Sequence, residues 1–438
     1  VTVLAELRAL LTLPGFRKLF GVRLVSQAGD GMFQVGLASL LFFSPEAQGS
    51  APAIAAAFAT MLAPFTIVGP FAGVFLDRWQ RRQVLFVGNV VRFVLCGVMA
   101  VAMLTQGVTP AIYVLGLAAL SVNRFLLAGL SAGLPRVVPR DLLLTANSLT
   151  PTLGAGAAFV GGGIGFVLGL ALPEGRARDS AALACAGVVM GLAALLALRM
   201  RRDLLGPERP ASGAIRNEVV AVARGLADGA RYLAARRTPG QALLIMAFHR
   251  FLYGVVFIAS ILMARNLLGE PGSTGSGLQI FGTIIAMIGV GGGIAIILTA
   301  VLARRMAPQT WIAIMLLLAA ASELLLVPEP SHVVVLAAAL LLGLAAQGAK
   351  IAVDTIVQRD SVDQYRGRAF AFYDVLYNAA FVGAAALAAF LVPDSGWSPG
   401  LFASLSVAYV AAAVLIWTRG ARVPVREVAE EPTGAGPA

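Results

Sequence analysis

Twelve long apolar stretches run along the chain, separated by short polar breaks. They are Leu19–Phe43, Ala53–Leu76, Val84–Thr105, Ala111–Gly133, Ala146–Leu172, Ser180–Leu198, Gln241–Ala264, Gly277–Leu302, Gln309–Val327, His332–Val357, Phe370–Val392 and Pro399–Thr418. Each is close to the roughly 20 apolar residues that an α-helix needs to cross a bilayer. Several breaks carry the residues that end helices: Ser44-Pro45, Thr109-Pro110, Pro173-Glu174-Gly175, Pro271-Gly272, Pro328-Glu329-Pro330 and Pro393-Asp394-Ser395-Gly396. The pattern predicts an all-α membrane protein with 12 transmembrane helices.

A longer polar segment at 199–240 divides the spans into two sets of six, at 1–198 and 241–418, with a tail at 419–438. Inside it, Val219, Val222, Ala223, Leu226, Ala230 and Leu233 recur at helical spacing while Arg224, Asp228, Arg231 and Arg236 fall elsewhere. That predicts an amphipathic linker helix at the membrane surface. Arg23 and Arg250, Arg78 and Arg304, and Arg136 and Arg359 are separated by 227, 226 and 223 residues. One shift of about half the chain relates the three pairs, as expected of two pseudo-symmetric six-helix halves.

Composition agrees. Of 438 residues, 59% are hydrophobic and 13% charged, against about 25% charged in soluble domains. A soluble enzyme, a nucleic-acid binder and a disordered chain are poor readings. Cys96 and Cys185 lie in apolar runs and imply no disulfide framework, and the two histidines, His249 and His332, do not make a metal site. No Gly-x-x-x-x-Gly-Lys-Ser/Thr phosphate loop, metal-binding His/Glu spacing or nucleophile elbow is present, so no cofactor, metal or catalytic residue is expected.

The net charge of +11 follows membrane topology. With the N-terminus inside, 25 of the 33 basic residues fall in inner segments and three (Arg176, Arg178 and Arg265) in outer ones. Basic loops stay cytoplasmic, so both termini are expected in the cytoplasm and the chain in the cytoplasmic membrane. The N-terminal stretch, interrupted by Glu6 and Arg8, does not read as a cleavable signal.

The charges inside spans carry the chemistry. A charge at mid-bilayer costs about 2.5–3.5 kcal/mol on insertion scales, so such residues face protein or water. In span 1, Arg23, Gln27, Asp30 and Gln34 share one helical stripe, expected to face an aqueous cavity or, as the alternative, to form a structural polar seam sealed by a neighbouring helix. Span 4 places Arg124, beside Asn123, at similar depth, and an Asp30–Arg124 pair is expected to handle the proton or a cationic group. The second half offers His249, Arg250 and Tyr253 in span 7, Lys350 and Asp354 in span 10, and Asp374, Tyr377 and Asn378 in span 11. Lys350–Asp354 and Arg250–Asp374 read as gate pairs or fixed structural pairs. Phe33, Phe125, Phe257 and Tyr373 are further cavity candidates. Arg92 in span 3 and Glu323 in span 9 read as side chains that reach back to an interface.

Span 2 ends in Gly73-Val74-Phe75-Leu76-Asp77-Arg78-Trp79-Gln80-Arg81-Arg82. This resembles the loop 2–3 signature of the major facilitator superfamily, Gly-x-x-x-Asp-Arg-x-Gly-Arg-Arg, matched at Gly73, Asp77, Arg78, Arg81 and Arg82, with Gln80 in place of a glycine. The resemblance implies a cytoplasmic latch at these residues and a fold whose two halves rock about a midplane site. Arg81 and Arg82 also suit simple charge bias. Phe16-Arg17-Lys18, Gly29-Asp30, Asn147-Ser148-Leu149, Gln358-Arg359 and Gly367-Arg368 resemble the subset with siderophore (enterobactin-type) and macrolide exporters. The Gly-Pro-x-x-Gly-Gly signature of drug–proton antiporters keeps only its last two glycines, Gly161 and Gly162; with Gly163 and Gly165, these also suit tight helix packing.

The resemblance implies a secondary transporter that exports a small amphiphilic solute against inward proton movement. An importer, or a translocator of lipid or cell-envelope precursors, is the alternative within the fold. A membrane-embedded enzyme or a transport-inactive receptor or scaffold lacks supporting residues. The expected partners are a small-molecule substrate, a proton or other coupling ion and the lipid bilayer. A monomer is expected, and no nucleic acid.

Overall fold

Lipid offers backbone groups no hydrogen bonds, so each spanning segment satisfies its own as a helix. The structure, a computed structural model, describes residues 3–43, 50–67, 71–76, 78–173, 175–207, 215–270, 274–302 and 306–420. Its helices are α1 (Val3–Thr12), α2 (Pro14–Ala38), α3 (Ala51–Ile67), α4 (Ala72–Leu76), α5 (Arg81–Gln106), α6 (Pro110–Gly133), α7 (Leu143–Ala171), α8 (Arg176–Leu198), α9 (Ile215–Ala235), α10 (Arg237–Leu262), α11 (Thr274–Leu302), α12 (Pro308–Leu325), α13 (His332–Asp360), α14 (Asp363–Leu391) and α15 (Pro399–Gly420). Among the described residues, ten helices are long and apolar enough to cross a membrane. The two remaining expected spans are α2, which carries the polar stripe, and α3. Pro14 and Pro110 occupy first turns, where a missing N–H costs nothing.

Spans 1 and 7 end alike. Each closes in a five-residue stretch of wide π-type turn, Ser39–Phe43 after α2 and Met263–Leu267 after α10. The offset of 224 residues between them matches the shift seen in the arginine pairs.

The chain forms two compact units. The first comprises Val1–Gly225, Gly254–Gly282 and Phe381–Trp397. In it α2 packs on α7 and α8, and α5 on α6 and α8. The α2–α7 crossing is close because it is built on glycine. A Cβ at Gly31 would run into the Ala158 carbonyl, and one at Gly161 into that of Ala28. Without a hydrophobic drive between helices in lipid, such backbone approach is what holds them. Phe16, Leu19, Leu85, Leu130, Leu134, Ala197 and Leu205 form a core near the start of α2.

The same unit includes the ends of α10 and α14 and the start of α11, which meet α3 and the wide-turn segment after α2. Phe58 meets Phe381 at 4.8 Å and Phe257 at 5.2 Å, and Phe257 meets Phe281 at 5.7 Å. Beside these rings, Arg265 donates to the Phe42 carbonyl, which joins the two wide-turn segments. Asp394 accepts from the Ala51 N–H at 2.8 Å, and its carbonyl accepts from Asn266 at 2.6 Å. This end of the unit is closed by rings and hydrogen bonds together.

The second unit comprises Leu226–Tyr253, Thr283–Ala380 and Ser398–Ala438. Here α12 packs on α13 and α15. Ser322 donates to the Ala338 carbonyl at 3.0 Å and Ser406 to the Ala320 carbonyl at 2.9 Å. The amphipathic helix predicted over 219–235 is α9. Its second half is pinned by Tyr232, which stacks on Tyr365 at 4.6 Å with planes 3° apart and accepts from the Val362 N–H at 3.0 Å.

Candidate functional site

The polar stripe of α2 points into protein. Asp30 accepts from Arg92 of α5 at 2.6 Å, where the two side chains are 5% and 0% exposed. Gln34, one turn on, donates to the other Asp30 oxygen at 2.6 Å. One turn back, Ser26 donates to Asn89 of α5 at 3.0 Å. The spacing 26–30 on α2 thus meets 89–92 on α5, so two polar contacts lock one helix pair in register. Arg23 donates to Thr150 of α7 at 2.9 Å and to Ser131 of α6 at 3.3 Å. Gln27 packs against Gly154 of α7.

Three sequence expectations change here. The ion pair on Asp30 is made by Arg92; Arg124, expected as its partner, acts electrostatically from α6, where Asn123 adds a hydrogen bond. Arg92 does not reach an interface, being fully buried in α5. Arg23 and Asp30 are buried between helices rather than set on a water-filled wall. The physical reason is shared: α2 is flanked closely by α7 and α8 and reached by side chains from α5, and a buried charge is held where a partner and hydrogen bonds meet it.

In the second unit the candidates form a ladder of cations and rings. Arg250 lies over Tyr377 at 4.4 Å and Tyr253 at 5.1 Å. Tyr377 meets Tyr373 edge-on at 6.0 Å, and Lys350 lies over Tyr373 at 5.7 Å. A cation over a desolvated ring gains up to about 2 kcal/mol. Of the two expected pairs, Lys350–Asp354 forms at 2.7 Å, half-exposed. Arg250 lies over the two rings, and Asp374 accepts from Asn378 at 3.4 Å. His249 is buried, with neither ring nitrogen hydrogen-bonded.

At the signature, Asp77 lies outside the described residues and Gly73 sits in α4. Arg78 pairs with Glu218 of α9 at 2.8 Å. Arg81 donates to the Ala132 carbonyl at 3.1 Å and the Leu205 carbonyl at 3.2 Å, near the end of α6. Arg82 donates to the Met200 carbonyl at 3.3 Å and approaches that of Leu198 at 3.5 Å, at the end of α8. Helix C-termini present unpaired carbonyls and a negative dipole end, which these guanidinium groups satisfy. Charge bias alone does not describe Arg81 and Arg82.

The glycine run of α7 is divided. Gly161, Gly162 and Gly165 face Ala28, Val35 and Met32 of α2, whereas Gly163 faces open space.

No family model matches the sequence. Over 410 residues it is 34% identical to an uncharacterized MFS-type transporter of Mycobacterium tuberculosis (strain ATCC 25618 / H37Rv), spanning 93% of this chain and 92% of the relative. The same figures hold for an uncharacterized MFS-type transporter of Mycobacterium bovis. The chain belongs to the major facilitator superfamily. Solved structures of this superfamily share its fold at low identity. A peptide transporter POT structure matches with TM-score 0.66 and 13% identity over 92% of this chain and 94% of that one. The Escherichia coli fucose:proton symporter matches with TM-score 0.57 and 13% identity over 92% and 98%. The nucleoside transporter NupG matches with TM-score 0.63 and 12% identity, again over 92% and 98%.

Within this major facilitator fold, two side chains expected at an interface are buried instead. Arg92 was hidden by its apolar surroundings; the signal was the matching spacing of Ser26/Asp30 and Asn89/Arg92 on two helices. Glu323 is fully buried in α12, so it does not reach an interface. Its position two residues from the end of α12 gave no warning, because what covers it comes from other helices.

Proposed function

We propose that this major facilitator protein moves a small amphiphilic solute across the cytoplasmic membrane by alternating access, exporting it against inward proton movement. The observation that carries the reading is the buried Asp30–Arg92 pair with Gln34 upon it. An aspartate sealed against an arginine is either ionised and paired, or protonated with the arginine released. Exchange between the two requires the helices around α2 to part, which ties proton movement to conformation. Asp30 is the proton-exchanging group, Arg92 its charge partner, and Arg23, Gln27, Gln34 and Arg124 its polar surroundings.

The fucose:proton symporter among the fold neighbours supports proton coupling, and the resemblance to siderophore and macrolide exporters supports the outward direction. The ring-and-hydrogen-bond closure joining Phe58, Phe257, Phe381, Arg265 and Asp394 is assigned to the outer side, because the basic segments that fall at the opposite helix ends belong in the cytoplasm. The two halves are 1–198 and 241–418, joined by the 199–240 linker, with both termini and the 419–438 tail cytoplasmic. Arg78, Arg81, Arg82, Gly73 and Asp77 form the inner latch, and Lys350–Asp354 and the Arg250 ladder line the second half. The protein acts as a monomer and catalyses no covalent chemistry.

The test is a thermal-shift screen for ligands, followed by flux of the hits in proteoliposomes. Solute movement that responds to an imposed pH gradient, and stops responding in Asp30→Asn, is the expected result. Solute movement indifferent to the gradient, or an Asp30→Asn protein that keeps the full response, ends the coupling reading. The sign of the gradient that drives movement decides between export and import.

A further inference from the structure

The second unit contains an acid that the reading above does not use. Glu323 sits on the buried face of α12 with Trp311, Ile312, Met315, Leu316 and Ala319, and is 0% exposed. Neither of its carboxylate oxygens meets a hydrogen-bond donor. The neighbouring hydroxyls are committed elsewhere: Ser322 to the Ala338 carbonyl, Ser406 to the Ala320 carbonyl, and Tyr409 to the His249 carbonyl at 3.3 Å. No other charged residue lies on α12. On α15 the titratable neighbour is Tyr409, within electrostatic reach of Glu323. Across α15, α10 presents His249, whose ring is 5.5 Å from that of Tyr409, together with Tyr253 and Arg250. Arg250 is already engaged by the Tyr253 and Tyr377 rings. Of the charged residues of α13, Lys350 pairs with Asp354 and Arg359 with Asp360, all 12 residues or more beyond Ala338, which sits opposite Ser322; the titratable His332 opens the helix six residues before Ala338 and is exposed.

An ionised carboxylate stranded without donor or counter-ion in a low-dielectric interior is too costly to persist, and such a group neutralises instead. As a neutral acid, Glu323 needs little from its surroundings. We propose that Glu323 is a proton-binding site, occupied in this conformation, and separate from the Asp30–Arg92 pair in the other compact unit. Release of its proton requires the last turn of α12 to open to water or to a cation. Its use in transport rests on the proton-coupled reading above; its occupancy does not, so the two fail separately.

The sequence makes the test clean, since Glu323 is the one glutamate within a span while the other ten lie in loops, the N-terminal helix, the linker or the tail. Infrared spectra of the protein in lipid nanodiscs at neutral pH, with and without ¹³C-glutamate, isolate protonated glutamate carboxyl groups by their shifted C=O band. One such band is expected in the parent, placed high in frequency as for a carboxyl lacking hydrogen bonds. It is lost in Glu323→Gln and retained in Asp30→Asn. A parent spectrum with no glutamate C=O band at neutral pH overturns the proposal, and so does a band that survives in Glu323→Gln. The isotope shift is read on the unmutated protein, so the outcome does not depend on either variant folding.

Discussion

Arg92 reaches Asp30 across 62 positions of sequence and binds it at 2.6 Å, yet leaves its Nε and Nη1 groups buried without acceptors. The pair is therefore closed but incompletely satisfied. A set of this kind is stable only as long as both charges stay together, and rearranges when either changes.

Removing one partner is expected to harm the protein more than removing both. Asp30→Asn and Arg92→Leu each strand a charge or a polar group, at about 3–5 kcal/mol. The double variant, carrying Asp30→Asn and Arg92→Leu together, recovers most of that loss. Thermal unfolding in detergent reads this directly, because the double variant melts above the Arg92→Leu single. Transport is not expected to be restored with it, since the carboxyl proposed to exchange the proton is gone.

The two sides of the α7 glycine run respond oppositely to a small side chain. Gly161→Val drives a Cβ into the Ala28 carbonyl, and overpacking of this kind costs about 1–3 kcal/mol or more. Gly163→Ala meets open space and gains up to about 1 kcal/mol of helix propensity. Yield of monodisperse protein and melting temperature fall for the first and hold or rise for the second.

At the signature after span 2 the arginines are unequal. Arg81→Ala leaves the Ala132 and Leu205 carbonyls without their charged donor, at about 1.5–3 kcal/mol per bond to a charged group. Glu218→Gln removes a partly exposed ion pair with Arg78 worth about 0–1 kcal/mol. Unfolding midpoints are expected to separate the two variants clearly, and only the Glu218 effect shrinks on adding salt.

Tyr232 ties α9 to the start of α14 by a stack and a hydrogen bond. Tyr232→Phe keeps the stack and loses the bond, about 0.5–1.5 kcal/mol. Tyr232→Ala loses both, with a further stacking loss of about 0.5–1.5 kcal/mol. Limited proteolysis of the 199–240 linker is expected to accelerate slightly in the first and strongly in the second. Equal rates in both would assign the anchor to the hydrogen bond alone.

Much of the architecture was legible residue by residue. The spans were visible because lipid demands apolar length and self-satisfied backbone. Helical spacing placed Arg23, Gln27, Asp30 and Gln34 on one stripe, and Lys350 opposite Asp354 one turn away. These are properties of a single helix. The partner of Asp30 is not such a property. Arg92 and Arg124 both sit at workable depth, and only the tertiary structure, in which Arg92 reaches Asp30 from α5, decides between them.

Residue order was enough for the class of protein, the position of its helices and the presence of charges that oil will not tolerate unaided, because each follows from local composition and periodicity against a fixed solvent. What those charges meet came from the packing of helices. Arg81 and Arg82 grip helix ends, Asp30 is sealed by Arg92, and Glu323 is enclosed where α13 and α15 pack on α12. The cost of a buried charge depends on neighbours within a few ångströms, and in a helical bundle those neighbours come from other helices.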